Sequence, residues 1–279
     1  MNWKTARRTI SLDRPLVMAI LNVTPDSFSD GGMYLSAEDA LRQAEKMIAE
    51  GADIIDIGGE STRPRAKPVA TDEEISRVVP VIAAISKRFD MPVSIDTTKS
   101  EVAEAAIKAG AEIINDISGL RFDERIAEVA GQTGAGLVLM HSRGTIETLH
   151  TQPPVDNILA DVTADFRRAI GIAKARSVRD DQIVLDIGIG FGKTQEQNLE
   201  LLAKLDKIVG EFKSYPMLVG VSRKSFIGRI LGDGPPSERL GGSIAAALIA
   251  ARNGAKVVRV HDVKETVSAL QMAIALESE

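Results

Sequence analysis

Leu16-Val-Met-Ala-Ile-Leu21, six apolar residues in a row, runs into Asn22 and then into the polar, glycine-bearing stretch Val23-Thr-Pro-Asp-Ser-Phe-Ser-Asp-Gly-Gly32. An apolar run that does not alternate with polar residues reads as a strand covered on both faces, the habit of parallel sheets wrapped in helices. Such a strand carries polar groups to the loop at its carboxyl end, and a rigidly mounted loop of this kind is where function is placed.

The unit repeats. Further apolar runs stand at 53–57, 92–95, 112–114, 137–140, 183–185, 217–221 and 256–260. A 3.6-residue periodicity predicts helices over 37–50, 72–88, 100–109, 124–133, 155–176, 197–209, 242–253 and 263–276. Gly51, Gly110 and Gly254 stand where helices stop before the next strand, a place that suits positive φ. Eight βα units with no linker or low-complexity segment between them predict an α/β fold, a single-domain (β/α)8 TIM barrel spanning 1–279. Residues 1–15, which include Trp3 and Pro15, are too polar for a barrel strand and are expected to cover the N-terminal mouth. A doubly wound sheet would need a nucleotide fingerprint after its first strand, and Asn22-Val-Thr-Pro25 supplies none.

Composition narrows the class. The chain has no cysteine, which excludes disulfides, thiolate catalysis and cysteine-ligated metal centres and suits a soluble, cytoplasmic protein. No apolar run approaches the roughly 20 residues of a membrane span, and residues 1–15 contain no apolar segment of the signal-peptide kind. A net charge of -5 with 4% aromatics argues against a nucleic-acid surface, so neither nucleic acid nor membrane is an expected partner.

Barrel enzymes place their chemistry at the carboxyl ends of the strands. There the chain carries Asn22, Glu60-Ser-Thr-Arg63, Asp96, Asn115 and Asp116, His141, Asp186, Ser222-Arg-Lys-Ser225, and Arg259 with His261. One such residue alone would read as a cap or a satisfied rim group; a polar group at every strand end reads as a site. Asp96, Asn115, Asp186 and Lys224 supply acceptors, an amide and a donor, the set that grips a flat heterocycle with donor and acceptor edges. Arg63, Arg259 and His261, with Asn22, read as a phosphate or pyrophosphate subsite, because guanidinium forks match phosphate oxygens. An amide oxygen such as that of Asn22 also suits Mg²⁺, which takes few protein ligands beside substrate phosphates.

Seven segments, in order from first strand to last, carry a resemblance: Leu21-Asn-Val-Thr-Pro-Asp-Ser-Phe-Ser-Asp-Gly-Gly32, Gly58-Gly-Glu-Ser-Thr-Arg-Pro64, Ser94-Ile-Asp-Thr97, Asn115-Asp-Ile117, Gly190-Phe-Gly-Lys193, Ser222-Arg-Lys-Ser225 and Arg259-Val-His-Asp262. With these the chain resembles the dihydropteroate synthases of folate biosynthesis over nearly its whole length. The resemblance implies a transferase that condenses 6-hydroxymethyl-7,8-dihydropterin pyrophosphate with 4-aminobenzoate, giving dihydropteroate and pyrophosphate, with sulfonamides as competitors. It implies a pterin held by Asp96, Asn115, Asp186 and Lys224, lined by Ile117 and Met140 and stacked on by Arg259. Pyrophosphate falls to Asn22, Arg63, Arg259 and His261, with Mg²⁺ at Asn22 and Asp30 closing over it. Phe28, Thr62, Pro64, Phe191 and Ser225 frame the aminobenzoate. Asp96, Lys224 and Arg259 are the residues expected to act on the reacting atoms. The resemblance also implies a homodimer, to which the apolar surplus of the last two helices lends a surface.

Other features read more blandly. Gly188-Ile-Gly-Phe-Gly-Lys-Thr194 imitates a Walker loop but has Ile187 where that pattern needs glycine. His150 reads as a loop residue, and Asp53 and Asp56 read as structural hydrogen-bonding groups below the site. Ile187 stands where the family usually shows proline and Arg65 where glycine is common. Two rival functions are a methyltetrahydrofolate-dependent corrinoid methyltransferase domain, against which the pyrophosphate subsite argues, and a non-catalytic pterin-binding homologue, against which the intact Asn22, Asp96, Asp186 and Lys224 argue.

Overall fold

The opening apolar run forms the strand Leu16–Asn22, and its repetition builds the molecule. The computed structural model describes residues 1–24, 37–61, 68–146, 148–149 and 151–277. In chain order these form β1 (Asn2–Lys4), β2 (Thr9–Ser11), β3 (Leu16–Asn22), α1 (Ala37–Ala49), β4 (Ile54–Gly58), α2 (Thr71–Arg88), β5 (Val93–Asp96), α3 (Ser100–Ala109), β6 (Ile113–Asp116) and α4 (Arg125–Thr133). They continue with β7 (Gly136–Met140), α5 (Ile158–Ala175), β8 (Ile183–Asp186), α6 (Gln195–Ala203), α7 (Leu205–Glu211), β9 (Met217–Gly220), α8 (Ser225–Leu231), α9 (Leu240–Arg252), β10 (Ala255–Val260) and α10 (Val263–Glu277). Strands β3 to β10 pair in parallel and close into a barrel in which β10 lies between β9 and β3. The α/β (β/α)8 barrel expected from the eight repeats is the fold of this chain.

Because strand side chains alternate between faces, each barrel strand writes two messages. Val17, Ala19 and Leu21 of β3, with Ile55 and Ile57 of β4, point outward and join the large core beneath the helices. Leu16 and Met18, Ile54, Ile113, Val138, Val184, Leu218 and Val257 point inward and form a separate apolar cluster with Trp3 and Leu12. Continuing in steps of two toward the carboxyl ends, the same inward positions become Asn22, Asp56, Asn115, Met140, Asp186, Gly220 and Arg259. The barrel interior is therefore an apolar plug below and a polar layer above.

The antiparallel hairpin β1–β2 carries Trp3, fully buried in that plug, whose Nε1 donates to the carbonyl of Gln182 at 2.8 Å. A Cβ on Gly136 would meet Trp3 Nε1 at 2.9 Å, so the indole fits only against glycine.

The helices differ from the periodicity at several points. The expected helix over 155–176 begins at Ile158, because Asn157 caps it by accepting from Ala160 N. The expected helix over 197–209 is two, α6 and α7, parted at Lys204 (φ -112, ψ 22); its start moves back to Gln195 because Thr194 and Gln197 form a capping box. The short α8, stopped by Gly232 at φ 97, lies in a segment the periodicity left without a helix. Gly110 ends α3 at φ 124 as expected. No helix among the described residues is long and apolar enough to cross a membrane.

Candidate active site

Four adjacent strands end at one level: Asn22 is in register with Gly58, Gly58 with Asp96, and Asp96 with Asn115. Gly58 lies between these polar neighbours: a Cβ there would stand in ordinary contact, 3.4 Å from Asn22 Oδ1 and 3.7 Å from Asp96 Cβ. Across the barrel, Gly220 neighbours Arg259 and Lys224: a Cβ there would lie 3.8 Å from Arg259 Cβ and 3.9 Å from the Lys224 ammonium.

Arg259 occupies the centre. Its Nε donates to Asp56 Oδ2 and its terminal nitrogen to Asp96 Oδ2, both at 2.6 Å, while Asn115 Nδ2 donates to the same Asp56 oxygen at 3.1 Å. Asp56 is fully buried, and its other oxygen has no hydrogen-bond partner among the described residues. Burial raises the Asp96 pKa to about 7; Arg259 opposes this and the negative charge of Asp56 reinforces it. Burial also works against the Arg259 cation, but Asp56 and Asp96 outweigh it and hold the guanidinium above its ordinary value.

A second group gathers on β8 and the loops beside it. Asp186 accepts from Gly188 N at 2.8 Å, and burial lifts its pKa against the attraction of Lys224. Lys224 donates to the Ile189 carbonyl and sits 4.6 Å from the Phe191 ring centroid. Burial lowers its pKa to about 8, against the pull of Asp186. Phe191 packs on a small apolar cluster of Ile117, Met140 and Leu149. An acceptor, an ammonium and an apolar wall thus stand together, the requirements of a flat polar heterocycle.

At the third edge Ser222 Oγ lies 3.1 Å from His261 Nδ1 and accepts from His261 N at 3.2 Å. Arg223, at φ 59, faces away into an ion pair with Asp262, so the Ser-Arg-Lys-Ser segment divides its labour between anchoring and the site. Ser225 is exposed at the first turn of α8. The structure thus brings Asn22, Asp96, Asn115, Ile117, Met140, Asp186, Phe191, Lys224, Ser225, Arg259 and His261 to the carboxyl mouth of one barrel. Phe28, Asp30, Thr62, Arg63, Pro64, Arg65 and His150 lie outside the described residues.

Sequence reasoning undervalued three groups. Asp53 is structural, bound to Arg14 and to Val17 N, as expected. Asp56, read the same way, is a buried hydrogen-bonding group as expected, and its partners are the site residues Asn115 and Arg259; its inward parity with Ile54 carries the signal. Leu149 had no periodic signal. Glu60, named only as part of a strand-end run, meets Lys99 at 2.6 Å, and Lys99 also binds fully buried Glu74 and the Val69 carbonyl. This node ties down both 60 and 69.

Among the described residues no three histidine or acidic side chains cluster as a metal cage. The amide oxygen of Asn22, at the carboxyl end of β3, is of the kind that magnesium takes beside substrate phosphates.

The family model described as pterin binding enzyme matches residues 18–261. Dihydropteroate synthase of Escherichia coli is 48% identical over 269 residues, covering 96% of this chain and 93% of that one. The chain belongs to the dihydropteroate synthase family. It is a transferase of that family, and the corrinoid methyltransferase alternative is not favoured. Two solved family members show the same fold. The Yersinia pestis dihydropteroate synthase, in complex with a sulfonamide drug, superposes with a TM-score of 0.94 at 44% identity, covering 100% of both chains. The Xanthomonas albilineans enzyme with 4-aminobenzoic acid gives 0.93 at 40% identity, again over 100% of both.

Proposed function

We propose that this mouth joins 6-hydroxymethyl-7,8-dihydropterin pyrophosphate to 4-aminobenzoate, leaving 7,8-dihydropteroate and pyrophosphate. The observation that carries the reading is the cross-barrel cluster: Arg259 held between Asp56 and Asp96, with Asn115 on Asp56. In this reading Asp96, Asn115, Asp186 and Lys224 hold the pterin over Ile117 and Met140, and Arg259 lies against its ring. Asn22, Arg63, Arg259 and His261 hold the pyrophosphate, and Asn22 the Mg²⁺ that travels with it. Bound there, the ion would supply counter-charge to the leaving group. Phe28, Thr62, Pro64, Phe191 and Ser225 frame the aminobenzoate and its sulfonamide competitors, with Asp30 closing over.

The chemistry then needs no nucleophilic side chain. The C–O bond to pyrophosphate breaks with its electron pair on the leaving group, and the cation spreads into the dihydropterin. Asp96, fixed before reaction by Arg259, stabilises charge that exists mainly in the transition state. The arylamine attacks the methylene carbon and its proton passes to water. The protein in this reading is a cytoplasmic homodimer joined through α9 and α10, where Ile249, Met272 and Leu276 are exposed.

Asp186→Asn tests the pterin assignment. It turns an acceptor-only group into a mixed donor and acceptor, so calorimetric titration with a pterin should show affinity reduced about tenfold or more. Unchanged affinity contradicts the assignment.

A further inference from the structure

The turn from β8 to α6 has to hold Asp186 and Phe191 in place, yet its backbone is permissive. Gly188, Gly190 and Gly192 alternate through it at φ 63, 84 and 60. A side chain is excluded at Gly188, where a Cβ would collide with the His141 carbonyl oxygen. A glycine-rich turn loses more conformational entropy on ordering than any other, so a fixed geometry here requires a fastener.

Lys193 is that fastener by geometry. Its Nζ donates to the carbonyls of Gly188 at 2.7 Å, Phe191 at 3.0 Å and His141 at 3.4 Å, three acceptors for the three donors of an ammonium. The peptide on the other side of Gly188 gives its N–H to Asp186 Oδ1. One residue is therefore gripped at its carbonyl by Lys193 while its amide aims the carboxylate. The grip on Phe191 in turn sets the wall beneath Lys224.

We infer that Lys193 is a positioning residue for pterin recognition, acting through the carbonyls of Gly188 and Phe191 on Asp186, Phe191 and Lys224 without touching the substrate. This rests on the proposed pterin site. The groups facing the ammonium are Asp186 on β8, Lys224 before α8, Asp161 on α5 and Arg143 after β7, with His141 at the end of β7. Burial lowers the Lys193 pKa to about 7, against the pull of Asp186. A neutral amine has only two N–H donors for three carbonyls, which makes the clamp weaken as pH rises through that value.

The test compares two ligands on the full-length protein. For Lys193→Met, the affinity for 6-hydroxymethylpterin should fall about tenfold or more, while that for pyrophosphate with Mg²⁺ stays within about twofold. Lys193→Arg, which keeps the cation, should recover part of the pterin affinity. Equal pterin affinity in wild type and Lys193→Met, or equal loss of both ligands, overturns the inference. If Lys193→Met does not fold, Lys193→Gln is read by the same two affinities. Failure of the unaltered protein to bind the pterin would instead overturn the proposed site.

Discussion

Asp96 titrates high because it is buried, and its neighbour Asp56 adds to the effect while Arg259 opposes it. The proposed chemistry needs the Asp96 carboxylate ionised, so activity is lost as pH falls through about 7; it needs the Lys224 ammonium, so activity is lost as pH rises through about 8. Asp56→Asn removes a like charge and lowers the Asp96 pKa. The acid limb of kcat/KM should therefore move to lower pH in this variant, the limb belonging to the coupled cluster as a whole. A limb that stays in place would show that Asp56 does not act through Asp96. At this scale the sequence is informative wherever a polar residue ends an apolar run, as at Asn22, Asp96, Asn115, Asp186 and Arg259. It says less at Asp56, which sits inside a run and whose structural reading does not name its partners. The pairing of Asp56 with Arg259 spans 203 residues, and no local pattern encodes so distant a partner.

At the scale of elements, the strand-to-helix turns decide precision. Gly188→Ala forces a Cβ onto the His141 carbonyl at φ 63 and should cost at least about 3 kcal/mol in denaturant titration. A cost below about 1 kcal/mol would mean that the turn relaxes freely, and Asp186 would then lack a fixed aim. Strand positions are legible to within about two residues, because continuous apolar runs of this length have no other reading in a βα repeat. Helix ends are less so. The break at Lys204 leaves the 3.6-residue pattern intact across α6 and α7, so periodicity alone does not reveal it. The Thr194–Gln197 capping box does carry a local signal for the start of α6.

At the scale of the whole molecule, the barrel separates stability from function along its axis, with the apolar plug at one mouth and the polar layer at the other. Trp3→Ala should destabilise the protein by about 3–5 kcal/mol while leaving the rate per folded molecule unchanged; denaturation and specific activity measured on one sample decide it. The exposed apolar residues of α9 and α10 predict a dimer. Met272→Glu with Leu276→Glu should halve the mass seen by light scattering, and a monomer mass for the unaltered chain would refute that interface. The eightfold repeat makes the barrel legible in the amino-acid sequence, whereas helix–helix contacts between two copies leave no periodic mark distinct from packing within one. Pyrophosphate release by the purified protein with Mg²⁺ tests the condensation directly. Release is expected only when the pterin pyrophosphate and 4-aminobenzoate are both present, in step with dihydropteroate. Release at the same rate without 4-aminobenzoate, or none with both, would contradict it.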